Sequence, residues 1–250
     1  MARECYQQAY ISERERGDRY GEGLLLSNLG WVAGMQGDFS ASRTYLEQAL
    51  DIAREVGNPY QEAYNLINLS AVLCIQGGAE IALQYARLGN GLCLKIGERS
   101  GEAWALLNIG HACLLAEELD QAQLAYEQCL AIREELHQPN LSAEALAGLA
   151  QIALYRADLP SLTRLIESIF SIMEQDGNFS GAEEPLRIYY ICHQALEVTK
   201  DPRSHSVLQT AKQLLEAQVS KFKDENERRR YVENVPWRRA IYRMAQTLTD

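Results

Sequence analysis

The chain has 250 residues, of which 47% are hydrophobic and 23% charged, proportions typical of a globular protein rather than a disordered or fibrous one. Its formal net charge of −10 would repel phosphate groups, so direct binding of nucleic acid by this region is not expected. With only 17 glycines and 6 prolines, a turn-rich all-β fold is disfavoured. Apolar runs are far shorter than the ~18 residues of a membrane span, and no secretory signal follows Met1. These features predict a cytoplasmic protein without a membrane partner.

A forty-residue repeat runs through the chain. When residues 19–58 are placed over residues 99–138, 11 of 40 positions are identical without a gap. The blocks 59–98 and 139–178 fall into the same frame. The block boundary carries glycine at positions 17, 57, 97 and 177, with His137 as the exception. Such self-similarity is the signature of a repeat array, in which each unit stacks on the next to bury its apolar face.

Each block is predicted to form two antiparallel helices. Apolar residues recur at three- and four-residue spacing in each half of a block, which is the helical period. Gly37 and Gly77 occupy the break between the halves, where glycine ends a helix in the left-handed conformation. Pro59 and Pro139 open their blocks, as proline prefers the first helical turn. Residues 2–18 align with the second half of a block, so they are predicted to be the second helix of a truncated repeat.

The repeats resemble the tetratricopeptide repeat family. The first block matches the family signature at a series of small and apolar positions: Leu26, Leu29, Gly30, Ala33, Gly37, Phe39, Ser42, Leu46 and Ala49. The block 99–138 matches it through Leu106, Ile109, Gly110, Cys113, Leu119, Ala122, Tyr126 and Cys129, whereas 59–98 departs and 139–178 is divergent. The long period is similar to that of kinesin light chains and MalT-like bacterial regulators of the STAND type. The resemblance implies a right-handed α-solenoid of antiparallel helix pairs.

Beyond the clear repeats, residues 179–220 fit a degenerate helix pair and 221–250 a C-terminal capping segment. The stretch 232–241 resembles the tail of large bacterial regulators, in which such an array follows a nucleotide-binding switch domain. The segment 221–243 holds eight basic and four acidic residues, including the run at 228–230. A salt-bridged, solvated face is the favoured interpretation of this segment, and a contact with a partner or nucleic acid is the alternative.

No pattern for catalysis or cofactor binding is present. The four histidines lack metal-ligand spacing, and neither a nucleophile elbow nor a phosphate-binding loop occurs. The six cysteines form no C-x-x-C pair and sit among apolar residues, so we expect reduced, buried thiols. The sequence therefore predicts a protein that is not an enzyme and needs no metal or cofactor.

What remains is a binding surface on the first helix of each pair, which the resemblance places on a concave groove. The position before the signature Leu or Ile is Asn28, Asn68 and Asn108, and Gly148 ends the series. A ladder of amides would hold the backbone of an extended peptide. Bonding to the neighbouring repeat or to water is the alternative. The predicted groove is completed by aromatic and polar side chains, namely Trp31, Tyr64, Trp104 and His111, together with Leu24, Ile67 and Leu107.

The sequence thus predicts a non-catalytic scaffold that binds a protein or peptide, as the sensing or interaction domain of a larger signalling or transcription regulator. The alternative is a domain that senses a small-molecule inducer in the same groove. The lone half-repeat at residues 2–18 would leave Cys5, Tyr6, Ala9 and Tyr10 uncovered. Because exposed apolar faces associate, self-association through this N-terminal edge is also expected.

Overall fold

The structure, a computed structural model, describes residues 2–176, 179 and 181–247. All regular secondary structure within these ranges is helical, which confirms the predicted all-α class of paired helices. The helices form two compact units, Met1–Ala116 and Glu117–Asp250, which we call the N-terminal and C-terminal units. The boundary glycine at 177 and the last three residues of the predicted capping segment lie outside the described residues.

From residue 2 onward, where the structure describes it, the N-terminal unit forms six helices. They are α1 (Ala2–Arg16), α2 (Arg19–Met35), α3 (Phe39–Glu55), α4 (Pro59–Ile75), α5 (Ala79–Ile96) and α6 (Arg99–Leu115). Each consecutive pair packs together, and α4 also packs against α2 and α6. This alternation of a first and a second helix is the arrangement that the forty-residue period predicts.

In the C-terminal unit the described residues form seven helices and a short 3₁₀ turn. They are α7 (Leu119–Glu135), the turn (Pro139–Ser142), α8 (Ala143–Tyr155), α9 (Leu159–Asp176), α10 (Pro185–Thr199), α11 (Ser204–Val219), α12 (Glu225–Glu233) and α13 (Pro236–Thr247). Pro139 opens the 3₁₀ turn, so α8 begins four residues later than the proline predicts. One apolar core joins α8 to α13.

A backbone residue in the left-handed conformation ends a helix at every twentieth position. The series has φ values between 53° and 82° and comprises Gly17, Gly37, Gly57, Gly77, Gly97, Glu117, His137 and Ala157. At positions 18, 38, 58, 78, 98, 138 and 158, the residue that follows the left-handed one donates its N–H to the carbonyl five positions earlier, as Asn58 does to Ala53 at 2.8 Å. This hydrogen bond closes the last helical turn and satisfies a carbonyl that the helix leaves without a partner.

At five junctions the side chain of the residue after the left-handed position also caps the next helix. The Asp18 carboxylate accepts from the Gly21 N–H at 3.0 Å, and the Asn58 amide oxygen accepts from both Tyr60 and Gln61 at 3.1 Å. Asp38, Glu98 and Asp158 cap their helices in the same way. Two adjacent residues therefore stop one helix and start the next, which fixes the hairpin with almost no loop.

Close packing within a pair depends on one small residue from each helix. In the first repeat the Ser42 hydroxyl of α3 donates to the Gly30 carbonyl of α2 at 2.6 Å. In the second repeat the hydroxyl lies on the other helix, and Ser70 of α4 donates to the Ala82 carbonyl of α5 at 2.8 Å. Both bonds span twelve residues at equivalent positions. The bond between the two helices is thus kept although its donor has changed sides.

Buried charges organise the C-terminal unit. The Glu144 carboxylate of α8 accepts from the backbone N–H of Glu184 at 2.9 Å and so caps the start of α10. Glu184 in turn accepts from the Trp237 indole at 3.0 Å and from the buried Arg238 guanidinium, both on α13. Burial raises the pKa of Glu144 while backbone hydrogen bonds oppose that shift. Because each of these carboxylates has donors in place, the cluster holds α8, α10 and α13 together.

The left-handed positions can be tested by exchanging glycine and alanine. A Cβ at Gly57 meets no atom within 4 Å, so Gly57→Ala imposes only conformational strain and should lower the free energy of unfolding by about 1 kcal/mol. Ala157→Gly should raise it by about 0.5–1 kcal/mol through relief of the same strain. Urea denaturation followed by circular dichroism measures both.

Gly91 provides the matched control. It lies within α5 without a positive φ, and the Cβ that alanine would add there also meets no atom within 4 Å. Gly91→Ala should stabilise the protein by about 0.5–1 kcal/mol, the helix preference for alanine over glycine. Equal effects of Gly57→Ala and Gly91→Ala would contradict the left-handed conformation at position 57.

Candidate functional site

The predicted site lies on one side of α2, α4 and α6 in the N-terminal unit. We call this the first-helix face, which carries the equivalent positions 24/64/104, 28/68/108 and 31/71/111. Leu24 is 45% exposed, while Trp31, Tyr64 and Trp104 are half-buried. Apolar side chains that remain accessible on neighbouring helices form a surface to which a partner's apolar groups can pack.

The three asparagines of the series have different environments. Asn28 and Asn68 are half-buried, and neither side chain has a hydrogen-bond partner within the described part of the chain. Asn108 is buried, with its Nδ2 donating to the Trp104 carbonyl of the same helix at 2.9 Å. Two amides of the series therefore keep donors and acceptors accessible, and the third binds its own backbone.

The series ends at Gly148 for a steric reason. Gly148 lies on α8 under the ring of Tyr126 of α7, and a Cβ at this position would overlap three ring carbons. Tyr126 is completely buried. Any side chain at position 148, asparagine included, would displace this ring from the core of the C-terminal unit.

The other predicted groove residues divide between surface and core. Ile67, Leu107 and His111 are buried. Trp104 packs against the apolar cluster of Ala63, Ile67, Cys93 and Ala105. These positions lie between adjacent helices. Residues of a groove and residues of the core recur at the same helical spacing, so the sequence pattern did not distinguish the groove from the core.

Two exposed tyrosines extend the face beyond the predicted residues. Tyr20 and Tyr60 are 56% and 50% exposed and occupy the same position forty residues apart, one turn before Leu24 and Tyr64. The Tyr60 and Tyr64 rings lie 4.7 Å apart, and the Tyr64 hydroxyl donates to Glu98 at 3.5 Å. Burial, with the hydrogen bond to Tyr60 as the next cause, raises the pKa of Tyr64. The repeat register itself could have identified this pair.

Charged groups at the start of the first helices are engaged in ion pairs. Arg19 bonds Glu22 of its own helix at 2.6 Å and also Glu55 of α3. Arg99 and Glu102 repeat the first pair two blocks later. The hydrogen bonds to Glu55 and Glu22 raise the pKa of Arg19. Exposed pairs of this kind contribute ~0–1 kcal/mol, and their charges are neutralised beside the first-helix face.

One cluster in the C-terminal unit contains the residue types of a hydrolase but not their geometry. The Ser204 hydroxyl lies 2.8 Å from His193 Nδ1 and donates its single hydrogen to Glu197. In a catalytic triad the carboxylate bonds the second ring nitrogen instead of the nucleophile. Ser204 is also buried at the first residue of α11. The cluster therefore links the end of α10 to the start of α11.

The cysteines are largely sequestered. Five thiols are buried and Cys5 on α1 is exposed. The general expectation of buried thiols was therefore wrong at Cys5, whereas the half-repeat argument had left this residue uncovered. Burial raises the pKa of Cys93 and Cys129 to about 11 and that of Cys192 to about 12. These thiols remain protonated near neutral pH and are poor nucleophiles.

Neither a metal cluster nor a membrane-spanning helix occurs among the described residues. They contain no group of three or more Cys, His, Asp or Glu side chains arranged to hold a metal ion. Within the same ranges, no helix has the length and apolar character needed to cross a bilayer.

In the basic run at residues 228–230, Arg228 donates to the Phe222 carbonyl at 2.9 Å and to Glu225 at 3.3 Å, which accounts for two of its donors.

Comparison with known proteins places the chain among tetratricopeptide-like folds. Residues 1–55 match the tetratricopeptide repeat family model. None of the curated proteins matches the sequence. Three similar crystal structures are BtubC (BKLC) from P. vanneervenii, a Rap protein complexed with competence and sporulation factor, and the apo form of RapI.

All three proteins resemble this chain in structure and have low sequence identity to it. BtubC has a TM-score of 0.65 and 15% identity over 90% of this chain and 93% of BtubC. The Rap complex has a TM-score of 0.67 and 17% sequence identity, and the match covers 99% of this chain and 68% of the Rap chain. RapI has a TM-score of 0.69 and 14% sequence identity, and the match covers 99% of this chain and 97% of RapI. At such identities the comparison establishes a tetratricopeptide-like helical scaffold.

Thiol accessibility can be measured directly. With N-ethylmaleimide at neutral pH, we expect one adduct per native chain, at Cys5, and six after denaturation, because the five other thiols are buried. Mass spectrometry counts the adducts. Cys5→Ser should leave the native chain without rapid labelling. Rapid modification of a second thiol in the native protein would contradict the tight packing of the helix pairs.

Proposed function

We propose that the chain is a non-catalytic scaffold that holds an extended segment of a protein or peptide on its first-helix face. The observation that carries this proposal is the pair Asn28 and Asn68, which stand forty residues apart with side chains not engaged within the described part of the protein. Exposed Leu24, Tyr20 and Tyr60 lie on the same helices. Asn108 and His111, being buried, are assigned the role of supporting the face.

The spacing of the amides suits a peptide backbone. Neighbouring first helices lie on the order of 10 Å apart, and an extended strand rises ~3.3 Å per residue, so successive amides would meet backbone groups about three residues apart. Each hydrogen bond is worth only ~0.5–1.5 kcal/mol net. The aromatic and leucine side chains must therefore supply most of the affinity by burial of apolar area.

We further propose that this scaffold is the sensing or interaction domain of a larger cytoplasmic regulator that also contains a nucleotide-binding switch domain. The resemblance of the repeats to MalT-like regulators and the similar fold of a Rap protein complexed with competence and sporulation factor support this role. A small-molecule inducer bound to the same face is the alternative. It would contact Trp31 or Trp104 without requiring both Asn28 and Asn68.

Peptide binding can be tested with ligands selected from a displayed peptide library against the whole chain. Asn68→Ala should weaken the selected peptides about 2–10-fold, the loss of one or two net hydrogen bonds. Leu24→Asp should weaken them more, because it places a charge in the apolar contact. Fluorescence anisotropy measures both affinities.

Gln84→Ala is the matched control, since Gln84 is an exposed amide on the second helix α5. It should leave the affinity unchanged. If Asn68→Ala and Leu24→Asp both retain full affinity with intact helical circular dichroism, peptide binding on this face is excluded. If a small molecule binds instead and only Trp31 or Trp104 variants respond, the alternative holds.

Self-association through α1 is a separate prediction. Tyr10 packs against Leu26, Ala49 and Ile52, but Ile11 is 54% exposed and Tyr6 and Ala9 are half-buried. Sedimentation equilibrium with a reducing agent present, which prevents Cys5 cross-links, should show a concentration-dependent dimer. Ile11→Lys should shift it to monomer. Leu94→Lys, an equally exposed leucine on α5, should not, and a monomer at all concentrations would refute the interface.

A further inference from the structure

A cavity of about 540 Å³ opens within the C-terminal unit, between α11, α12 and α13. Its lining combines apolar residues such as Leu215, Val232 and Ala245 with the charged residues Lys212, Glu216 and Arg228. The volume lies within the ~300–1,000 Å³ of small-molecule pockets in proteins. The cavity is distinct from the first-helix face, which belongs to the other unit.

The cavity has an apolar floor and a polar rim. Leu215, Val232 and Ala245 are buried at its floor, while Tyr242 and Glu216 are exposed at its edge. On α11 the lining residues recur at three- and four-residue spacing, so one side of this helix faces the cavity. An apolar pocket with a few polar groups in its lining fits a ligand that has an apolar body and one polar head.

The basic groups at the cavity determine the sign of that head. Lys212 is half-buried, and its ammonium has no ion-pair or hydrogen-bond partner within the described residues. Arg228 is held by the Phe222 carbonyl and by Glu225 through Nε and Nη1, which leaves its Nη2 available. Glu216 is the opposing charge in the lining. Because Glu225 already pairs with Arg228, Lys212, which is unpaired within the described residues, is the group that favours an anionic head.

We propose that this cavity binds a free, monomeric amphiphile with a single carboxylate, whose hydrocarbon chain covers Leu215, Val232 and Ala245 and whose head meets Lys212. If each heavy atom of the ligand occupies the ~30 Å³ of a water molecule in the liquid, a ten-carbon carboxylate fills roughly two thirds of the cavity and leaves room for bridging water. A charged head that pairs with a lysine gains a charge-assisted hydrogen bond, which is stronger than a neutral one.

Decanoate is the probe, titrated by calorimetry into the full chain below its micelle-forming concentration. Lys212→Glu should weaken binding at least about tenfold, the loss of a hydrogen bond between charged groups. Glu216→Gln should strengthen it about two- to fivefold, because it removes a repulsive carboxylate. Lys95→Glu, which makes the same change of charge at an exposed site on α5, is the control and should have no effect.

Two further measurements distinguish the contribution of the ligand's carboxylate head from that of its hydrocarbon tail. Decanol should bind more weakly than decanoate and should not respond to Lys212→Glu. Ser220→Trp, at an exposed lining position, should block both ligands without disturbing the helices seen by circular dichroism. Opposite effects of Lys212→Glu and Glu216→Gln, with Lys95→Glu neutral, would establish the site.

The proposal is overturned if decanoate fails to bind at millimolar concentration, or if Lys212→Glu and Lys95→Glu weaken it equally. It is also overturned if the chain ignores free decanoate but cosediments with phosphatidylglycerol vesicles in a Lys212-dependent way, which would indicate a membrane lipid. Saturable, Ser220→Trp-sensitive binding of an amphipathic peptide, with decanoate inactive, would assign the cavity to a protein helix instead.

Discussion

The left-handed residue at every twentieth position is the constraint on which the helix pairs depend. It allows the next N–H to reach back five residues, so a helix of about seventeen residues ends and the next begins within two or three residues. A longer or more flexible connection would allow the pair to slide and would cost more entropy on folding. In the first five junctions glycine adopts this conformation without strain. Glu117, His137 and Ala157 adopt it with strain, because their surroundings hold the turn in place.

Within a pair, the close approach of the helices is achieved by different residues in different repeats. Ser42 bonds across to Gly30 in one repeat and Ser70 bonds across to Ala82 in the next, at the same pair of positions. What is preserved is the short distance between backbones together with one buried hydroxyl whose hydrogen bond is satisfied. An unsatisfied buried hydroxyl would cost ~1–3 kcal/mol, so either helix can supply the donor provided that the other supplies a carbonyl.

The two candidate binding sites differ in their chemistry. On the first-helix face, amides and aromatic rings lie beside paired charges, which suits a backbone with apolar side chains and gives little charge selectivity. The C-terminal cavity combines an apolar floor with Lys212, which is unpaired within the described residues, and this suits one anionic head. The buried carboxylates Glu144 and Glu184 are engaged by donors from α10 and α13, so they contribute to stability rather than to either site.

The sequence by itself determined the helical class, the period and most junctions, because glycine spacing and helical periodicity are local properties of the chain. It also marked Asn28 and Asn68 as equivalent. It did not separate exposed from buried members of one stripe: Asn108, Ile67 and Leu107 share the helical spacing of Leu24, yet packing of α6 and its neighbours buries them. For Cys5 the sequence led to two opposing expectations, a buried thiol and an uncovered half-repeat, because its exposure depends on which side of α1 the neighbouring helix covers. The cavity between α11, α12 and α13 was invisible in the sequence, since it arises where three separate segments meet, and only tertiary packing brings Lys212 and Arg228 to one opening.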